Sequence, residues 1–245
     1  PVSLYGDLNA QINALDLGVG RLAELLDEYG DETVRGAMAE LKLRAATLMR
    51  ANIAALPDGV YAAEDWMDND GIVDEPLKIA LAIRVSGETM TLDFSGSAPS
   101  CLGPVNISRS TTVAACYVAM KHMFVDVPAN SGVLDPIEFV IPETSILAAK
   151  TPKPVGGYTE TILRLIDLVF IALAQATPER TNAAAYGTIN ALSLAGFRED
   201  GQRWVMFSFF GGGHGGHPEG DGLNHGNAPI STATIPPLEI LEAAY

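Results

Sequence analysis

Cysteine is scarce in this sequence. There are two, Cys101 and Cys116, with no Cys-x-x-Cys pair. That excludes a disulfide-built scaffold and gives no support to a redox or metal role for the thiols, which are expected to be buried in a reducing compartment. Basic residues are short as well. Fifteen Lys and Arg stand against 30 Asp and Glu, a formal net charge of −15. Such a surface repels phosphate backbones and anionic lipid, so neither a nucleic-acid partner nor a membrane partner is expected. No apolar run is long enough to cross a bilayer. The most apolar stretch, Ile162 to Ala176, is interrupted by Arg164 and Asp167, and it falls short of the ~20 residues that a span requires. A signal peptide, an internal repeat and a low-complexity linker are all missing, and a cytoplasmic location is expected.

What is present is apolar and periodic. Hydrophobic residues make up 48% of the 245, enough for a substantial core in one large domain or two intimate ones. Leu8, Ile12, Leu15, Val19, Leu22 and Leu25 form a helical stripe that Gly30 ends. Asp31 is placed to cap a second helix with apolar positions at Val34, Met38, Leu41, Ala45 and Leu48. A helical hairpin over residues 1–56 is therefore expected, followed by an α+β body over 57–245. Strict alternation at Leu77, Ile79, Leu81, Ile83 and Val85, a Ser86-Gly87-Glu88 turn, and Met90, Leu92 and Phe94 predict a β-hairpin with one buried face. Val60 to Met67 precedes it as a further strand. Helices are predicted over Ser110 to Val125 and Glu160 to Ala176, the second capped by Thr159, and strands over Ile137 to Ile141, Ala183 to Phe197 and Trp204 to Phe210. The fold class is α+β: a helical hairpin, then antiparallel β-hairpins with packed helices and a Gly/His-rich loop. The chain starts at Pro1 without Met and stops at Tyr245 within a helix-like pattern, so it is expected to be an internal piece of a longer subunit.

The loudest local feature is the loop from Gly211 to Pro229, which holds three of the four histidines. Glycines there let a backbone approach a ligand or adopt positive φ, and their N–H groups suit an anion. His214 and His217, with Glu219 or Asp221, offer a weak metal alternative, because His-x-x-His on a flexible loop matches no strong ligand signature. The plainer reading is a surface loop whose glycines serve turn geometry. Asp93-Phe94-Ser95-Gly96-Ser97 leaves a strand for a loop with its polar residues opposite the core face, either as a site on a rigid scaffold or as local turn chemistry. Glu64 to Gly71 looks like a calcium loop, but with Gly71 sixth, Trp66 falls on the first ligand and Leu77 on the twelfth. A solvated turn is expected there.

The order of short segments resembles the B subunit of the hydantoinase/oxoprolinase family. These include Gly6-Asp7-Leu8-Asn9-Ala10-Gln11, Leu56-Pro57-Asp58-Gly59-Val60-Tyr61, Asp70-Gly71 and Asp93-Phe94-Ser95-Gly96-Ser97. Gly103-Pro104-Val105-Asn106, Pro128-Ala129-Asn130-Ser131-Gly132, Pro178-Glu179-Arg180 and Gly211-Gly212-Gly213 continue it. The resemblance implies a subunit that works with a larger, ATP-binding A-type subunit to open small cyclic amides such as 5-oxoproline, hydantoin or N-methylhydantoin. It implies ATP and a divalent metal in the full complex, with the metal cluster in a region preceding Pro1 and no cofactor in this chain. Together with the polar hairpin face, it places Asp93, Ser95, Ser97 and Asn106 near the substrate pocket and Gly211, Gly212, Gly213 and Asp221 at its rim, binding and positioning rather than transferring protons. Catalytic residues are not assigned. His214 and His217 are not positions of the family pattern. An acetone- or acetophenone-carboxylase-like subunit and a non-catalytic assembly module, docking the missing N-terminal region and the A-type subunit, remain as alternatives. The chain alone is expected to be inactive.

Overall fold

The alternation in Leu77–Ser86 is what organises the molecule. In the computed structural model, which describes residues 2–226, 229 and 238–244, this segment is β2. It lies between β1 (Gly59–Met67) and β3 (Thr89–Asp93), antiparallel to both. Strand β4 (Ile137–Val140) adds beyond β3 in parallel, giving the order β1-β2-β3-β4. A parallel neighbour needs a crossover, and helix α3 (Arg109–Met123) lies within it. The inward residues Ile79, Leu81, Ile83, Val85, Met90 and Leu92 are buried. They meet α3, the apolar helix α4 (Tyr158–Leu173), and the C-terminal half of α2 (Asp31–Ala54), where Ala45, Met49 and Ile53 have no exposed surface. Three helices thus cover one face of the sheet, and the other face, with Val60, Glu64, Trp66 and Arg84, is open. Of the two thiols, Cys116 is in this core and Cys101 is half-buried.

The long helix α1 (Val2–Tyr29) carries the expected stripe, yet Leu8, Ile12, Leu15 and Val19 remain 51–70% exposed among the described residues. A second sheet, β5 (Asn190–Phe197) with β6 (Arg203–Phe210), is an antiparallel ribbon of two strands only. Phe197, Val205, Phe207 and Phe210 lie exposed on it. A short helix α5 (Leu238–Ala244) is the last described element. No helix is long and apolar enough to cross a membrane among the described residues.

Local chemistry moves some boundaries. Gly30, at φ 79°, takes the N-cap position of α2, and Asp31 instead pairs with Arg35 in the first turn. Gly157 caps α4 and Thr159 lies inside it. The strand expected from Ala183 begins only at Asn190, because Gly187 turns the chain at φ 84° and the residues before it bond to the glycine loop.

The Glu64–Gly71 turn is not simply solvated. Asp70 is 3% exposed, and its carboxylate accepts four backbone N–H groups: Ile72 and Val73 on one oxygen, at 2.8 and 2.6 Å, Leu102 and Gly103 on the other, at 3.0 and 2.8 Å. The N–H groups of Val73 and Gly103 contribute most to holding this carboxyl down at about 2, against the ordinary 3.8. A depressed folded-state pKa contributes stability that is present above the unfolded value and lost as pH falls toward the folded one. Asp70→Asn is therefore expected to melt lower than the parent at neutral pH, with the gap closing between pH 4 and 2. Thermal melts over that range read it directly.

Candidate functional site

Two separate cavities contain the polar residues singled out in the sequence. The first is a groove of about 480 Å³ on the open sheet face. Its floor is alanine: Ala62 lies opposite Ala82, and Ala82 opposite Asp93. Glu64 and Asp93 stand at its edges, with Ser95 beyond. Small floor residues follow from the outward register of β1 and β2. Asp93 accepts the N–H of Ser95 at 2.8 Å, so its carboxylate also shapes the strand exit. Ser97 does not enter the groove lining. Its hydroxyl accepts from the N–H of Ala80 and donates to the carbonyl of Ala80, both at 3.1 Å, and stitches the loop to β2. Asn106 is wholly buried. Its amide accepts from the N–H of Cys101 at 2.9 Å and donates to the carbonyls of Gly103 at 2.9 Å and Pro154 at 3.0 Å. Its polar atoms are used within the scaffold of loop 101–106.

The glycine loop has a different cause from the one its composition suggests. Residues 211–217 and 220–226 run against each other, with His214 N–H donating to Leu223 and Gly213 N–H to Gly226, at 3.1 and 3.2 Å. On the other side a strap, Ala183 to Gly187, donates from Ala183 to Gly216 at 2.8 Å and from Tyr186 to Gly213 at 3.3 Å. A Cβ on Gly212 would lie 2.3 Å from the Tyr186 ring, one on Gly215 2.2 Å from the Ala183 carbonyl oxygen, and one on Gly222 2.0 Å from that of His214. These glycines admit neighbouring protein chain.

Beneath the strap runs a polar face of α4. Glu160 accepts the N–H of Ile189 at 3.2 Å, Arg164 pairs with Asp65 of β1 at 3.2 Å, and Asp167 is 3% exposed. Burial pushes the Asp167 carboxyl up to about 6, against the pull of the Ala185 N–H and Arg164, with Asp65 adding to the rise. The only trace of this face in the sequence is the pair of charges that break the run from Ile162 to Ala176.

The second cavity, about 620 Å³, opens between this loop and α3. Asp221 is on its wall with His122, Asn182, His217 and Asn224. It adjoins a third space of about 450 Å³, sharing Asn182 and His217 and otherwise walled largely by apolar groups such as Phe170, Ile171 and Pro218. His122 is fixed by a 2.7 Å hydrogen bond to the Pro229 carbonyl and an edge contact to Phe170. The N–H of Glu219 donates to Nδ1 of His217 at 3.3 Å, which places the neutral ring's proton on Nε2. His122, Asn182 and Asn224 belong to no motif, and only the fold brings them together. Gly211, Gly212 and Gly213 shape the loop rather than the wall. Among the described residues no group of three or more His, Cys, Asp or Glu side chains is arranged to hold a metal ion, so His214 and His217 gain no third ligand.

A family model described as hydantoinase B/oxoprolinase matches residues 1–245. The putative D-/L-hydantoinase B subunit of Pseudomonas sp. (strain NS671) is 29% identical over the full chain, which covers 43% of that protein. 5-Oxoprolinase 1 of Arabidopsis thaliana is 28% identical over 98% of the chain and 19% of its own length. The crystal structure of the ATP-dependent caprolactamase from Pseudomonas jessenii superposes with a TM-score of 0.83 at 27% identity, covering 98% of this chain and 43% of that one. The chain thus spans under half the length of these relatives.

Proposed function

The chain belongs to the hydantoinase B/oxoprolinase family, and from that premise we propose that it is part of the B subunit of an ATP-dependent enzyme that hydrolyses small cyclic amides. It works with an A-type, ATP-binding subunit and with the remainder of its own subunit. ATP and a divalent metal are held elsewhere in that assembly. This chain contributes substrate-pocket walls and subunit contacts. The observation that carries the reading is a family match without a gap at either end, over a fold whose polar residues line two open cavities. The pocket residues are Asp93 and Ser95 at the sheet groove and Asp221 in the loop cavity, with Ser97, Asn106 and Gly211 to Gly213 holding those walls in place. Exposed apolar surface on α1 and on the β5–β6 ribbon supports the contacts, since a lone two-stranded ribbon is marginal without a covering layer.

The test is reconstitution. The full-length subunit is expressed with its A-type partner and offered hydantoin, 5-oxoproline, 2-pyrrolidinone and caprolactam with ATP. Ring opening coupled to ATP hydrolysis is expected from the pair, and none from this chain alone. Bicarbonate-dependent carboxylation of a ketone, with no ring opening, would instead place the protein with the carboxylases.

A further inference from the structure

We propose that the joined cavities beside the glycine loop bind the cyclic amide itself, and that they select an uncharged ring over one bearing a carboxylate. The inference rests on the cyclic-amide reading above and sharpens it to one site and one substrate class.

The polar half offers matched groups for a ring amide, whose carbonyl accepts and whose N–H donates on the same edge. His217 presents an Nε2–H donor because its Nδ1 is engaged by the Glu219 N–H. The Asp221 carboxylate on the same wall is the acceptor, and the Asn182 and Asn224 amides do either. The side chains of Asn182, Asn224 and Asp221 hydrogen-bond to no protein group among the described residues, whereas those of Asn52, Asn106 and Asn130 bond to backbone carbonyls. The apolar half, with Phe170, Ile171 and Pro218, lies across Asn182 and His217 from that edge and suits ring methylenes. A small lactam is built in this way, polar on one edge and hydrocarbon on the other.

Charge decides the class. No Lys or Arg lines either half, and the sequence holds neither after Arg203. One wall carries a carboxylate. A substrate carboxylate would meet Asp221 without a compensating cation in this chain, and a like charge at short range is unfavourable. The sheet groove serves the ring less well, since Glu64 and Asp93 leave it acidic on both edges.

The closing experiment pairs 5-oxoproline with 2-pyrrolidinone, which is the same ring without the carboxylate. In the full-length subunit with its partner, the uncharged ring is expected to have a KM at least about tenfold lower. Asn182→Ala and Asp221→Asn are each expected to raise KM for the uncharged ring by about tenfold with kcat changed far less. Ligand-observed NMR on the full-length subunit alone supplies a readout independent of turnover: 2-pyrrolidinone signals should show saturation transfer that Asn182→Ala removes. Both side chains are exposed, so the variants should melt like the parent. Equal or better use of 5-oxoproline, or KM and saturation transfer unmoved in both variants, overturns the proposal. If the parent opens no cyclic amide at all while 2-pyrrolidinone still binds in an Asn182-dependent way, the site stands and the hydrolase reading is what has failed.

Discussion

Gly103→Ala is expected to cost on the order of 4 kcal/mol and to lower the melting temperature of the full-length subunit by about 10 °C. A Cβ there would sit 1.8 Å from the Asp70 carbonyl oxygen, 2.7 Å from its carbon and 2.8 Å from its Cβ. Two of the three atoms are backbone, and neither can rotate away. The Asp70 segment cannot yield either, because its carboxylate is tied to four N–H groups, one of them that of Gly103 itself. Relieving the clash therefore means parting the 68–74 and 101–106 loops, and with them the Asn106 bridge to Pro154. Gly36→Ala is the control. It lies in α2 with nothing within 4 Å of a new Cβ, so there the alanine should add about 0.5–1 kcal/mol of helix preference. A Gly103→Ala protein melting within about 2 °C of the parent would contradict this packing.

Asp167→Asn is expected to act in the opposite direction. A carboxyl whose folded pKa is raised, here to about 6 from 3.8, contributes stability that is complete below the unfolded value and is lost as pH rises through the folded one. At pH 7.5 the ionised Asp167 therefore costs about 2–3 kcal/mol, from roughly 1.4 kcal/mol for each tenfold change in proton affinity. The asparagine keeps an acceptor for the Ala185 N–H and has no charge to bury. The variant should melt several degrees above the parent at pH 7.5 and converge on it near pH 4, as melts across that interval would show. Parallel melting curves at every pH would mean that Asp167 is hydrated rather than enclosed by strap and helix.

The sheet was legible because its signal is local. One strand with an apolar residue at every second position, and a Gly-containing turn after it, define β2, β3 and the buried face together. The glycine loop was visible but its reason was not. Composition cannot tell whether a missing side chain makes room for a ligand or for another stretch of protein, and Ala183 and Tyr186, which supply the answer, lie far away along the chain. Asn106 shows the same limit from the other side: a polar residue after a strand and loop reads as a site, and its burial depends on Cys101 and Pro154 arriving around it. Asp167 was read as an interruption of an apolar run, and the pairing of its neighbour Arg164 with Asp65 joins positions that no periodicity links. His122, Asn182 and Asn224 come from a helix, a strap and a loop, so the cavity they share exists only once β5 and β6 have turned the chain back.

The layering of strap and glycine loop has a consequence for how that cavity opens. Three ribbons of chain lie so close that backbone and ring atoms occupy the places of side chains, and the amides of Ala183, Tyr186, Gly213 and His214 bond from one ribbon to the next. None can peel away while its neighbours stay in place. Their amide protons should therefore exchange with solvent as one group, with a single shared protection factor well below that of β2. Access to the cavity would follow the rate of that one opening event.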